Sequence, residues 1–178
     1  MSAFARYLEL LIDWNRVHRL VGTADPAWIV EKLFLDSLLF VELLPRDAGR
    51  IADLGSGAGI PGVPLKIVLP ELHVALVESR RKRASFLRTV AREMGLRDVE
   101  VVNERIPGVV GWPDRPFDAV VARCAGDPAA IARAGVGLVR PGGPVIIAAS
   151  PTPRPGQPGR WVQVRGRSFL VVSVGEPG

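Results

Sequence analysis

Apolar positions along this chain change their period once, near Arg50. From Ala3 to Val17, Phe4, Tyr7, Leu8, Leu11 and Ile12 recur at three- and four-residue steps, the spacing of an amphipathic helix. Asp25-Pro26 then reads as the N-cap and first-turn proline of a second helix, which runs to about Leu44 and is ended by Pro45. Beyond Arg50, short apolar runs alternate with amphipathic stretches. Strands are predicted over Arg50-Leu54, His73-Glu78, Val99-Asn103, Phe117-Ala122 and Pro144-Ala149, and helices over Gly62-Leu69, Arg80-Met94 and Pro128-Val139. Ser150-Arg160, rich in proline and glycine, is expected to be an exposed connection, and Trp161-Arg165 and Ser168-Val174 to close a hairpin around Gly166. Such a series predicts an α/β, Rossmann-like fold, a mostly parallel sheet with helices on both faces behind a helical N-terminal segment. The expected division is residues 1–45 for that segment and 46–178 for the core, in one structural domain.

Composition adds bounds. Of 178 residues, 48% are hydrophobic and 23% charged, ordinary for a globular chain. The single cysteine, Cys124, excludes an internal disulfide and a structural zinc site, so no metal is expected. No apolar run approaches the roughly 20 residues of a membrane span, and the N-terminus shows no cleavable signal; no membrane partner and a cytoplasmic location are expected. Net charge is +5, and all but three of the 23 basic residues are arginine, which forks onto phosphate and stacks on bases. Nucleic acid is the partner this favours.

The chemistry concentrates at "IADLGSGAGIPG" (Ile51 to Gly62), where a strand runs into a glycine-rich turn and then a helix. Glycine lets backbone approach a ligand closely. Gly57, Gly59 and Gly62 formally satisfy a dinucleotide fingerprint, with Glu78 at the next strand's end as a ribose-binding acid. Spacing alone does not choose between NAD and S-adenosylmethionine. Charge favours the second: Asp53, taken to stand at the mouth of the first strand, would oppose a pyrophosphate but attract a sulfonium and an ammonium. The cofactor-binding candidates are therefore Asp53, Gly55, Ser56, Gly57, Gly59, Ile60 and Glu78.

On the helix from Arg80, Phe86, Leu87, Val90, Ala91 and Met94 form the stripe expected to be buried. Arg81, Arg88 and Arg92 fall on the other side, with Lys82 beside them, as RNA-binding candidates. Trp14, Trp28, Phe34 and Phe40 read as core. His18 and His73 read as structural.

"WN" at Trp14-Asn15, "FLDSL" at Phe34-Leu38, Asp53 to Ser79, "KRASFLR" at Lys82-Arg88, "FDAVVAR" at Phe117-Arg123 and "RPGG" at Arg140-Gly143 resemble the glucose-inhibited division protein B family, also called ribosomal RNA small subunit methyltransferase G. The resemblance implies a class I S-adenosylmethionine-dependent methyltransferase fold. It further implies methylation of N7 of a guanine in small-subunit ribosomal RNA or the 30S subunit. A monomer is expected. The resemblance places the donor against Gly55 and Ile60, near Ile106 and Pro107, and beside Arg123, which would orient donor and target base without acting as a general base. The chain differs from the family's usual pattern at Arg19-Leu20-Val21, Leu33, Ile106-Pro107 and Ala149. A member that binds RNA or cofactor without methyl transfer is the alternative, and an NAD-dependent oxidoreductase a third reading.

Overall fold

The computed structural model describes residues 2–105, 114–123, 126–150, 159–173 and 175. Helix α1 (Ala3–His18) starts at Ser2, whose hydroxyl accepts from the Ala5 amide, and ends in the left-handed Arg19. Asp25 caps α2 (Pro26–Ile29) through its carboxylate and the Ala27 amide, as the Asp-Pro pair predicts. The run then departs from the single helix expected to Leu44. A π-helical turn (Val30–Leu35), a short α3 (Asp36–Leu38) and a 3-10 turn (Leu39–Glu42) follow in succession.

The core is β1 (Arg50–Leu54), α4 (Gly62–Val68), β2 (His73–Val77), α5 (Arg81–Glu93), β3 (Val99–Val102), β4 (Ala119–Arg123), α6 (Pro128–Val136), β5 (Pro144–Ala148), β6 (Arg160–Val164) and β7 (Arg167–Ser173). The seven strands form one sheet in the order β3-β2-β1-β4-β5-β7-β6. The first five are parallel, while β7 runs antiparallel to β5 and β6 antiparallel to β7, the predicted hairpin. Every residue of β1 is buried, as a central parallel strand covered on both faces requires. Most of the proposed connection between β5 and β6 lies outside the described residues.

Alternate residues of the strands face two cores. Ile51, Val74, Leu76, Val121 and Ile146 join Phe86, Leu87 and Val90 of α5 and Tyr7, Leu11, Phe34 and Phe40 of the N-terminal segment. Ala52, Ala75, Val77, Val120 and Ile147 meet Ile131 and Ala132 of α6 on the other face. Ala91 and Met94 are only half-buried at the rim of the α5 stripe. Phe40 meets Phe169 edge to face, with ring centroids 5.0 Å apart, which docks the N-terminal run onto β7. Trp28 corrects the expectation of a core residue: it is 44% exposed, because the single turn of α2 buries its neighbour Ile29 instead.

Between β1 and β4 the chain order reverses, since β2 lies on one side of β1 and β4 on the other. Such a switch point opens a crevice at the strands' C-terminal ends, where ligands of open α/β sheets bind.

Candidate functional site

The glycine turn leaves β1 into that crevice, and its shape is set by the two acids singled out above. The amides of Gly55 and Ser56 both donate to the Val77 carbonyl, at 2.9 and 3.0 Å, fastening the turn to the end of β2. Glu78, 5% exposed, accepts from the Gly57 amide at 3.0 Å and from the Arg80 amide at 2.7 Å. Each of its oxygens keeps a second lone pair for a ligand hydroxyl. From below, Asp53 Oδ2 accepts from the Gly62 amide at 3.0 Å. Tyr7 of α1, fully buried, donates its hydroxyl to the Ala58 carbonyl at 2.6 Å.

Asp53 does not stand at the strand's mouth as expected. It is completely buried beneath the turn, because strand alternation at β1 directs it into the space that Gly62 leaves open. A Cβ on Gly62 would lie 2.8 Å from Asp53 Oδ2 and closer still to Leu76 Cδ2, so only glycine fits there. Gly59 is equally constrained: its φ is 91°, and a Cβ would meet Val63 Cγ2 at 2.6 Å and the Tyr7 hydroxyl at 3.1 Å. Asp53 Oδ1 is buried with no hydrogen-bond partner among the described residues. Burial pushes its carboxyl up to about 7, with Glu78 adding to the rise and the Gly62 amide opposing it.

The cleft above the turn holds about 670 Å³ and is lined by Gly55, Ser79, Asn103, Arg105 and Asp127 among others. Asn103, at the end of β3, donates to the carbonyls of Glu78 at 2.8 Å and Ser79 at 3.2 Å, locking the β2 and β3 ends together. Asp127 caps α6, accepting from the Ala129 amide. Asn103 and Asp127 were absent from the sequence candidates. Their signal was positional: Asn103 is the last residue of a predicted parallel strand, Asp127 comes soon after the end of another, and Asp127-Pro128 carries the cap signature.

Of the sequence candidates, Gly55 lines this cleft and Glu78 borders it through its bond to the amide of Arg80, itself a lining residue. Ser56, 1% exposed, turns its hydroxyl to the Asp53 carbonyl, and Gly59 and Ile60 are buried in the turn. Ile106 and Pro107 lie outside the described residues.

Arg123 points the other way. Its guanidinium donates to the carbonyls of Lys32 at 2.5 Å and Leu33 at 3.3 Å and lies 3.7 Å from Asp36 Oδ2. It therefore lines a second cavity, between the N-terminal run and the ends of β4 and β5, and not the cleft over the glycine turn. On α5, Arg81, Lys82 and Arg88 are exposed and no described acid pairs with them, whereas Arg92 is held by Glu93 at 3.2 Å. Among the described residues there is no group of acids, histidines or cysteines able to hold a metal, and no helix long and apolar enough to cross a membrane.

The sequence model of the rRNA small subunit methyltransferase G family matches residues 1–151. Ribosomal RNA small subunit methyltransferase G of Nitrosospira multiformis is 44% identical over 123 residues, covering 68% of this chain and 55% of that protein. The protein of the same name from Xanthomonas oryzae pv. oryzae is 39% identical over 151 residues, covering 82% of this chain and 68% of its own. The chain thus spans little more than half of the Nitrosospira relative's length. Among solved structures, a SAM dependent methyltransferase from Aquifex aeolicus superposes with a TM-score of 0.58 at 18% identity, covering 83% of this chain and 92% of that one, which shows a shared fold. The chain belongs to the rRNA small subunit methyltransferase G family.

Proposed function

We propose that this chain, as a member of the rRNA small subunit methyltransferase G family, methylates N7 of a guanine in small-subunit ribosomal RNA with S-adenosylmethionine as donor. The observation that carries the donor assignment is the pair of carboxylates around the glycine turn. A buried carboxylate with one unpartnered oxygen favours a cation nearby and disfavours a pyrophosphate. The residues therefore fit S-adenosylmethionine and do not fit NAD. When bound, this group supplies a methyl made electrophilic by its sulfonium.

The chain's own residues have the tasks of binding and orientation. Glu78 offers its remaining lone pairs to ribose hydroxyls while its bonds to the Gly57 and Arg80 amides keep it fixed. Asp53 acts through the turn: it holds the Gly62 amide and lends its negative field from below. Asn103 keeps the β2 and β3 ends in register, so that the cleft is formed before the ligand arrives. Guanine N7 bears an in-plane lone pair and loses no proton on alkylation, so the reaction needs no general base. Holding N7 in line with the methyl is the main requirement, and orientation of this kind is worth several kcal/mol, up to about 7–11 in favourable systems. The exposed cations Arg81, Lys82 and Arg88 are placed to meet RNA phosphates, a contact that positions the RNA without reading its sequence.

The test is calorimetric titration with S-adenosylmethionine, S-adenosylhomocysteine and NAD. Micromolar binding of the first two alone, lost in Asp53→Ala, is expected; NAD binding in their place would reverse the cofactor assignment.

A further inference from the structure

The cavity lined by Arg123 is separate from the cleft over the glycine turn. It holds about 410 Å³ and opens between residues 26–42 and the C-terminal ends of β4 and β5. Arg123 ends β4, which pairs with β1, the strand carrying the glycine turn. Cavity and donor cleft therefore open side by side along the same edge of the sheet.

Its walls combine three chemistries. Trp28 presents a half-exposed indole. Lys32, Arg123 and Arg167 bring positive charge, and Asp36 stands among them. Arg167 Nε donates to Asp36 Oδ2 at 3.0 Å, and Arg123 Nη2 lies 3.7 Å from the same oxygen. Both arginines thus fall on Oδ2, and no described residue bonds to Oδ1. Asp36 is also mostly buried, with 20% of its side chain accessible, so a ligand reaching it would meet a carboxylate largely stripped of water.

A flat π-face, an acceptor-only edge and flanking cations describe a ligand with an aromatic body, adjacent donors on one side and an anionic tail. Among the RNA bases, guanine has this pattern: N1–H and the N2 amine are neighbouring donors that one carboxylate can accept. Adenine has an acceptor at N1, which a carboxylate repels. A guanine held by that edge turns N7, on the opposite side of the purine, away from Asp36.

We propose that this cavity receives the target nucleotide, with guanine stacked on Trp28 and gripped through N1–H and its 2-amino group by Asp36, and with Lys32 and Arg167 beside its phosphate. Asp36 is then the residue that selects guanine, and Trp28 positions it. The inference rests on the methyl-transfer reading and names the substrate pocket of that same site.

The experiment uses the whole chain saturated with S-adenosylhomocysteine and titrates it with GMP, IMP and AMP. GMP is expected to bind in the millimolar range, IMP, which lacks the 2-amino group, about five- to tenfold more weakly, and AMP not detectably. Trp28→Ala should weaken GMP and IMP alike by about fivefold or more, and Trp28→Phe should recover most of the loss. Asp36→Asn should erase the preference for GMP over IMP while S-adenosylhomocysteine affinity stays unchanged. An Asp36 that merely ties Arg123 to Arg167 would lower both affinities and leave their ratio intact. The pocket assignment is overturned if GMP and AMP bind alike, if GMP does not bind up to about 10 mM, or if the ratio survives Asp36→Asn. Failure of S-adenosylhomocysteine to bind at the outset is a different result: it overturns the methyl-transfer reading and this one with it.

Discussion

Replacing Asp53 by asparagine should stabilise the protein at alkaline pH and weaken the binding of its donor. The carboxyl is raised from its ordinary value of 3.8 to about 7, chiefly by burial. Between those two values the folded state keeps a proton that the unfolded chain releases. The associated stability is fully present below about pH 4 and is lost as pH rises through about 7. The rise from 3.8 to about 7 corresponds to about 4 kcal/mol. Asparagine is neutral throughout and its carbonyl oxygen can still accept from the Gly62 amide, which removes that slope. Its amide, however, would occupy the place of Oδ1, which has no partner among the described residues, at a cost of about 1–3 kcal/mol. Asp53→Asn should therefore be slightly less stable than wild type at pH 5 and about 1–3 kcal/mol more stable at pH 8. Urea unfolding at pH 5, 6, 7 and 8 measures this directly. A cation about 5 Å from an ionised Asp53 gains about 3 kcal/mol at an effective dielectric of 20, so donor affinity should fall about ten- to a hundredfold in the variant. Wild type should bind donor more tightly as pH rises through 7 and take up the ligand with release of a proton, and the variant should show neither effect. Parallel stability curves for the two proteins, with a common pH dependence of donor affinity, would refute the reasoning.

Three further outcomes follow from the same geometry. Gly62→Ala places a methyl against Asp53 Oδ2 and Leu76 and should cost about 2–3 kcal/mol of stability together with donor binding, read by urea unfolding and calorimetry. Glu78→Gln keeps an acceptor for only one of the two amides it now holds; donor affinity should drop about tenfold, with a stability loss of about 1 kcal/mol. The double change Arg81→Ala with Arg88→Ala should leave donor affinity unaltered while lowering RNA affinity and reducing the slope of its salt dependence by roughly 1 to 2, measured by filter binding over a salt series.

Much of the fold is legible in the chain because its signals are local. The period-three-and-four spacing of Phe4, Tyr7 and Leu11, the cap at Asp25-Pro26 and the short apolar runs after Arg50 each specify an element within a residue or two of where it lies. The interruption of the second helix is not local. Arg123, about ninety residues away, takes the carbonyls of Lys32 and Leu33 within the π-helical turn, and the Ser37 hydroxyl donates to Leu33 as well.

The glycine turn was readable as a ligand loop, since the chemistry of its residues and their order carry the inference. The direction of each side chain was not. Asp53 belongs to a strand buried on both faces, and whether an acid at such a strand's end looks into the cleft or under the turn depends on the packing of Gly62 and Tyr7. Arg123 likewise follows its strand to the correct edge of the sheet but turns to Asp36. Asp36 itself lay inside a quoted motif without being singled out, because nothing in its neighbourhood in sequence shows that Arg123 and Arg167 converge on it.

The central claim is methyl transfer to guanine N7. Small ribosomal subunits lacking the modification should be incubated with the purified protein and methyl-labelled S-adenosylmethionine, and the RNA digested and analysed by mass spectrometry. One 7-methylguanosine gained per subunit is the predicted result. No incorporation by a protein that binds S-adenosylhomocysteine, or label on any other base, would contradict it.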